Sequence, residues 1–120
     1  MFVYSPFRCI FAKHFATLNV FLDDKELEKL FSEGKSRKLR LPDQVIEKFF
    51  STVQKIEASV SVHDLWADKG LRFEKLTGFE NRYSMRLSGK YRLEMWVEWK
   101  NEKQTIGIFF ITGISNHYGD

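Results

Sequence analysis

The sequence predicts an α+β domain in which two helices cover one face of a mainly antiparallel sheet of four to five strands. Apolar residues recur at helical spacing up to Ile56, whereas apolar and polar residues alternate with a period of two after Gly70. Short turns separate the alternating segments, which favours hairpins between consecutive strands. A chain of 120 residues, 43% of them hydrophobic, is long enough for one such core and too short for two.

The first half of the chain predicts one short strand followed by two helices. Leu18–Phe21 is the expected strand, and Asp23 is the expected N-cap of a helix that ends at Gly34. Pro42 marks the start of the second helix, and a short turn or helix is expected around residues 63–66. The apolar face of the second helix consists of Val45, Ile46, Phe49, Phe50, Val53 and Ile56.

The second half predicts a meander of four strands. These strands are expected at Leu71–Leu76, Arg82–Leu87, Tyr91–Trp99 and Gln104–Thr112. Because side chains alternate between the two faces of a strand, the residues of one parity should back onto the helices. That inward set is Tyr83, Met85, Leu87, Leu93, Met95, Val97, Trp99, Ile106, Ile108 and Phe110.

Three arginines have the opposite parity. Arg82, Arg86 and Arg92 should therefore converge on the uncovered face of the sheet, together with Trp96. The segment 72–92 contains six basic residues and only two acidic ones, although the net charge of the whole chain is a mild +3. The sequence therefore predicts a focused positive patch that suits an anionic partner.

Composition also limits the possible chemistry. The single cysteine, Cys9, allows neither an internal disulfide nor a thiolate zinc site, and the simplest interpretation is a reducing compartment. No apolar run approaches the roughly 20 residues of a membrane helix. Residues 17–120 are expected to form the domain and residues 1–16 an N-terminal extension. The extension is interpreted as an appendage, or as the result of a start codon assigned too far upstream, rather than as a targeting peptide.

Several motifs, in one order along residues 18–118, resemble those of HigB-type toxins in the wider RelE family. Each motif is loose, and their colinearity carries the resemblance. The motifs are Phe21-Leu22-Asp23-Asp24-Lys25-Glu26-Leu27-Glu28-Lys29-Leu30-Phe31, Gly34-Lys35-Ser36-Arg37-Lys38-Leu39, Leu76-Thr77-Gly78, Tyr83-Ser84-Met85-Arg86-Leu87, Tyr91-Arg92-Leu93 and the terminal His117.

This resemblance implies a RelE-like microbial RNase fold whose concave sheet face cuts messenger RNA in the ribosomal A site. The chain would then be a cytoplasmic, metal-independent endoribonuclease of a type II toxin–antitoxin system, with no cofactor and no membrane partner. Its partners would be a HigA-like helix-turn-helix antitoxin, messenger RNA and ribosomal RNA. The basic connector Lys35–Arg40 is either a contact with ribosomal RNA or antitoxin, or an ordinary charged link between helices.

The resemblance also implies roles for individual residues. Arg86 and Arg92 are the expected phosphate-binding residues, because a guanidinium can pair with two phosphate oxygens and stays protonated. The ordinary alternative is that they are solvated and paired with Glu94 and Glu98. His117 is the expected acid or base, because imidazoles titrate near neutral pH.

A second set of residues is expected to contact RNA. Lys75, Arg82 and Lys90 would supply positive potential, while Tyr91 and Tyr118 would stack on bases. Tyr91 is alternatively a core or rim residue. Trp96 is a further candidate for docking RNA or antitoxin.

The chain departs from the family pattern at two places. Thr77 stands where HigB toxins commonly carry a lysine before the glycine, and Ser115-Asn116-His117 replaces the frequent terminal Asp-Tyr-His. These departures leave the identity of the general base open. They also leave two other functions open, a ParE-like poison of DNA gyrase without nuclease activity and a degenerate domain that only binds its antitoxin.

Overall fold

A five-stranded mixed sheet with three helices forms the structure, a computed structural model that describes residues 18–36 and 38–116. The strands are β1 (Asn19–Leu22), β2 (Glu74–Lys75), β3 (Arg82–Arg86), β4 (Tyr91–Trp99) and β5 (Gly107–Asn116). The helices are α1 (Lys25–Glu33), α2 (Asp43–Ala58) and α3 (Val62–Ala67), and a 3-10 turn spans Lys69–Leu71. The predicted α+β class is confirmed.

The strand order across the sheet is β1-β5-β4-β3-β2. Strands β2 to β5 pair with their neighbours in antiparallel fashion, whereas β1 runs parallel to β5. The helices bury their apolar sides against the inner face of the sheet, where Phe49, Val53 and Ile56 of α2 join Met95 and Phe109 in one core. The opposite side of the sheet, which none of the described helices covers, is called the uncovered face below.

Two helix starts differ from the prediction by one position. Asp24, not Asp23, caps α1 by accepting a hydrogen bond from the Glu26 amide. Asp23, directly after β1, bonds to the sheet instead, since its amide donates to the carbonyl of Ile111 at 2.8 Å. Pro42 is the N-cap residue of α2, and the first helical residue is Asp43.

The expected strand Leu71–Leu76 is only two residues long. Leu71 belongs to the 3-10 turn, and Arg72 follows it in the left-handed region with φ 50° and ψ 51°. Extended pairing therefore starts only at Glu74. Phe73 is nevertheless buried in the core, where its ring stacks on that of Tyr83 with 5.0 Å between centroids.

The inward parity expected for β5 is wrong. Phe109 and Ile111 are fully buried, whereas Ile108 and Phe110 lie on the uncovered face. Both parities of this strand are apolar, so alternation alone could not choose between them. The observed pairing of β4 with β5 requires a residue without a side chain at position 107. A Cβ atom at Gly107 would lie 2.9 Å from the carbonyl oxygen of Glu98.

Candidate functional site

The uncovered face carries cross-strand rows of side chains fixed by the register of the sheet. One row contains Arg86 of β3 opposite Arg92 of β4, and Ser115 of β5 is paired with Arg92. The next row along the strands contains Glu74, Ser84, Glu94 and Gly113. The row beyond it contains Arg82, Trp96, Phe110 and Phe21.

Arg86 and Arg92 share one face of the sheet, as their parity predicted, and the register places them directly opposite each other on two neighbouring strands. Directly opposed residues on one face of an antiparallel pair have Cβ atoms about 4.5–5.5 Å apart, and like charges there are destabilising. The side chain of Arg86 is exposed and makes no hydrogen bond or ion pair with any described residue. The pair therefore concentrates two positive charges where an anion would relieve their repulsion.

The guanidinium of Arg92 is held in one orientation by its neighbours. Its Nε and Nη2 both donate to the hydroxyl oxygen of Ser84, at 3.0 and 2.9 Å. Ser84 is 1% exposed, so this acceptor is built into the sheet and water does not compete for it. Hydrogen bonds from charged donors are stronger than neutral ones, and two of them to one oxygen fix the plane of the group.

A backbone carbonyl completes this arrangement. Arg92 Nη2 also donates to the carbonyl oxygen of Arg72 at 3.0 Å. Arg72 adopts its left-handed conformation directly after the 3-10 turn, which is uncommon for a residue with a Cβ atom. This conformation ends the turn and directs the carbonyl towards Arg92.

Glu74 is the acidic neighbour of Arg92, and it was not anticipated. Its Oε1 lies 3.6 Å from Arg92 Nη2, and its side chain is 56% exposed. The anticipated partners, Glu94 and Glu98, make no ion pair with a described residue, although both lie on the uncovered face. The uncovered face therefore carries both positively and negatively charged side chains and is not uniformly positive.

The alternation of residues in β3 predicted that Ser84 lies on the face of the arginines, whereas nothing in the sequence predicted that Glu74 lies beside Arg92. Ser84 lies between Arg82 and Arg86 in β3 with their parity, so it had to share their face. Glu74 reaches Arg92 only because β2 pairs with β3 in the observed register. That register cannot be derived from a two-residue strand.

Arg82 occupies the row that contains two stacked aromatic rings. It lies opposite Trp96, whose ring stacks on Phe110 with 4.2 Å between centroids and 14° between planes. Phe110 in turn stacks on Phe21 at 5.6 Å and 15°. The Nε atom of Arg82 is buried and has no hydrogen-bond partner among the described residues.

The other expected RNA contacts lie elsewhere. Lys75 pairs with Tyr83, whose side chain is buried in the core, so Lys75 has the parity of the inner face at the sheet edge. Lys90 is exposed in the β3–β4 turn, where Ser88 Oγ accepts from its amide. Tyr91 is half-buried and packs against the core. Neither Lys75 nor Tyr91 shares the face of Arg86 and Arg92.

His117 and Tyr118 lie outside the described residues, as do Arg37 and residues 1–17. Strand β5 is described as far as Asn116, which pairs with Tyr91. Ser115, one residue earlier, pairs with Arg92. The last described residues of the chain are therefore at the same end of the sheet as the arginine pair.

The geometry of this site suits a phosphodiester. Two guanidinium groups can share the non-bridging oxygens of one phosphate, and the Glu74 carboxylate beside Arg92 can accept a proton. Within the described ranges, no three His, Cys, Asp or Glu side chains are grouped so that they could hold a metal ion. None of the described helices is both long and apolar enough to cross a membrane.

Comparison with protein families gives one match. The family model described as the RelE-like toxin of the type II toxin–antitoxin system HigB matches residues 19–107. This range covers β1 to the start of β5 and includes both arginines of the pair. A comparison with curated proteins found no match.

Proposed function

The chain belongs to the HigB family of RelE-like toxins from type II toxin–antitoxin systems, and from this membership we propose that it is a ribosome-dependent endonuclease that cuts messenger RNA and so inhibits translation. The observation that carries the proposal is the opposed pair of Arg86 and Arg92 on the uncovered face. Like charges directly opposite each other destabilise a sheet, so the pair does not serve stability and is better explained by binding of an anion.

Cleavage of RNA by its own 2′-hydroxyl fits this pair. The 2′ oxygen attacks the adjacent phosphorus, a base removes its proton, and the P–O5′ bond breaks as an acid protonates the 5′ oxygen. The products are a 2′,3′-cyclic phosphate and a 5′-hydroxyl. Arg86 and Arg92 would hold the phosphate and stabilise the extra negative charge of the pentacoordinate transition state.

Two groups are candidates for moving the protons. Glu74 supplies a carboxylate next to Arg92. His117, which lies outside the described residues, is the acid or base that the family resemblance implies. Thr77, in the position of the family's lysine, is in the turn between β2 and β3 and has no titratable group.

The proposed partners follow from this activity. Messenger RNA would be presented in the ribosomal A site, with ribosomal RNA around it, so the toxin would act in the cytoplasm. A HigA-like antitoxin with a helix-turn-helix domain would neutralise it. Lys75, Lys90 and Tyr91 would contact RNA at the border of the site and not beside the scissile phosphate, and Tyr118 would stack on a base.

Induced expression followed by mapping of transcript ends tests this proposal. Wild-type protein should produce new 5′-hydroxyl ends within translated reading frames, and Arg92→Ala, Arg86→Ala and His117→Ala should each reduce them at equal protein levels. Lys103→Ala is the matched control, because Lys103 is an exposed cation in the β4–β5 turn at the far end of β4 from Arg92.

The remaining outcomes identify the alternatives. Growth arrest with intact transcripts and damaged DNA would indicate a ParE-like gyrase poison and would refute the nuclease. Antitoxin binding without growth arrest would indicate a degenerate domain. Loss of cleavage in the Lys103 variant as well would show that the effect is not specific to the arginine pair.

A further inference from the structure

We propose that the hydroxyl of Ser115 is a third ligand of the phosphate that Arg86 and Arg92 hold, and that a bulge in β5 places it there. This inference deepens the proposed function and rests on it, since it adds a neutral donor to the same substrate site. Ser115 pairs with Arg92 on one side, and Arg86 pairs with Arg92 on the other. These three residues are called the Ser115 row below, and they span three neighbouring strands, or about 10 Å.

The regular pairing of β5 with β4 is interrupted at Thr112. In β4, Met95 pairs with Ile111, and Glu94 pairs with Gly113. Thr112 lies between these two partners in β5, so it is an extra residue without a paired residue in β4. Its hydroxyl donates to the carbonyl oxygen of Glu94 at 3.2 Å, across the same irregularity. Such bulges redirect side chains and are over-represented next to active sites.

The bulge exchanges the two faces of the sheet for the rest of β5. Before it, Phe109 and Ile111 are buried in the core, two residues apart. After it, Ile114 packs against the same core, three residues further along the strand. Because side chains alternate in a regular strand, an uninterrupted β5 would place Ser115 on the inner face and Ile114 on the uncovered face. The bulge therefore turns Ser115 towards the arginines.

Small residues leave room beside the arginines on the side of β5. The contacts of the Arg92 guanidinium with described residues all lie towards β3 and β2, where Ser84 accepts two hydrogen bonds. On the other side, a Cβ atom added to Gly113 would meet no atom within 4 Å. Ser115, two residues further on with the same parity, has a short side chain and is half-buried. A phosphate can therefore approach the row above these two residues.

The chemistry of the Ser115 hydroxyl suits this position. Its side chain makes no hydrogen bond with a described residue, so its proton is available to a ligand. A hydroxyl carries no charge, and it therefore neither pairs with the guanidinium groups nor repels a phosphate. Hydrogen bonds to a charged acceptor are stronger than those between neutral groups. The row thus offers two cations and one neutral donor to the oxygens of one phosphate.

Affinity for RNA that cannot be cleaved tests the hydroxyl separately from catalysis. The probe is a short single-stranded RNA in which every ribose carries a 2′-O-methyl group, so the attacking hydroxyl is absent. Ser115→Ala should weaken binding about tenfold, and Ser115→Thr, which keeps the hydroxyl, should bind within about threefold of wild type. Asn116→Ala is the matched control, because Asn116 is the next residue of β5, is exposed and has the opposite parity.

Salt dependence distinguishes the hydroxyl from the charged ligands. Ser115→Ala should leave the slope of log affinity against log salt unchanged, whereas Arg86→Ala should make it shallower by about 0.7, the value of one phosphate contact in single-stranded nucleic acid. Equal binding of the probe by wild type and Ser115→Ala would overturn the inference. A larger loss in Asn116→Ala than in Ser115→Ala, or absence of binding to wild type, would also overturn it.

Deletion of Thr112 tests the role of the bulge. Regular pairing would then continue through β5 and turn Ser115 to the inner face. The deletion should weaken binding of the probe about tenfold, and Ser115→Ala should have no further effect in the shortened chain, because the hydroxyl has already left the row. Independent, additive losses would overturn the role of the bulge. Thermal unfolding shows whether the shortened chain folds, and if it does not, the comparison of Ser115→Ala with Asn116→Ala decides.

The two proposals can fail independently. If wild type cleaves messenger RNA but Ser115→Ala binds the probe and cleaves normally, the role of Ser115 is refuted and the nuclease remains. If wild type binds the probe through Ser115 but produces no cleaved transcripts, the nuclease is refuted and the phosphate-binding row remains.

Discussion

Replacing Ser84 with alanine removes the oxygen that accepts two hydrogen bonds from Arg92. The lost contacts are those from Nε and Nη2, at 3.0 and 2.9 Å, and the site of the change is 1% exposed. A hydrogen bond from a charged donor contributes about 1.5–3 kcal/mol. Because the carbonyl of Arg72 still accepts from Nη2, we expect a loss near the lower limit, about 1.5 kcal/mol.

This free energy sets the expected effect on cleavage. A change of 1.4 kcal/mol corresponds to a factor of ten, so the equilibrium between the productive orientation of Arg92 and its other orientations would shift about tenfold towards the others. The cleavage rate at saturating ribosomes should therefore fall, by about tenfold at most, while the ribosome concentration that gives half the maximal rate changes little. The assay is single-turnover cleavage of messenger RNA on programmed ribosomes, with thermal unfolding measured in parallel.

Two variants separate positioning from general stability. Ser84→Thr keeps the hydroxyl and should recover most of the rate. Ser51→Ala removes a hydroxyl that bonds only to a carbonyl of its own helix, and it should have no effect on cleavage. A Ser84→Ala protein that unfolds earlier but cleaves at the wild-type rate would refute a positioning role.

Three other substitutions test the sheet and its charges. Arg86→Ala should raise the free energy of unfolding by about 0.2–1 kcal/mol, because it removes the like-charge contact with Arg92. The same variant should cleave messenger RNA more slowly. A lower free energy of unfolding in chemical denaturation would contradict this. Glu74→Gln should tighten binding of uncleavable RNA and slow cleavage. Its effect on stability should be less than about 1 kcal/mol, because the ion pair with Arg92 is largely exposed. Weaker RNA binding in a titration would contradict this expectation. Gly107→Ala should lower the free energy of unfolding by about 1–3 kcal/mol, because its Cβ atom would lie 2.9 Å from atoms of β4. Gly113→Ala, which places its Cβ atom in open space, should change the free energy of unfolding little. Equal losses in the two variants, measured by thermal or denaturant unfolding, would contradict the observed register.

The β3–β4 hairpin was predictable almost to the residue. Strong alternation in both strands and the Ser88-Gly89-Lys90 turn left one plausible pairing, and the structure confirms Arg82, Arg86 and Arg92 on one face. Nothing comparable constrained β5, whose segment from Ile108 to Ile111 is apolar at every position. There the choice of face depends on tertiary contacts and not on local pattern.

The environment of Arg92 was predictable only in part. The face that Arg92 shares with Arg86 followed from parity, whereas the carbonyl of Arg72 and the carboxylate of Glu74 depend on a left-handed residue and a two-residue edge strand. Neither feature has a clear sequence signal, since Arg72 is not a glycine and has no turn motif around it. The usual preference for glycine or asparagine at left-handed positions therefore could not predict the conformation of Arg72.

The role of Arg92 as the oriented phosphate ligand is tested most directly by comparing Arg92→Lys with wild type in single-turnover cleavage on programmed ribosomes. Lysine keeps the charge but lacks the planar group that makes both bonds to Ser84 and presents its remaining donors to a phosphate. We expect the rate to fall about 100-fold or more in a folded protein, as for the loss of a transition-state donor. A lysine variant that cleaves within a few fold of wild type would contradict this role.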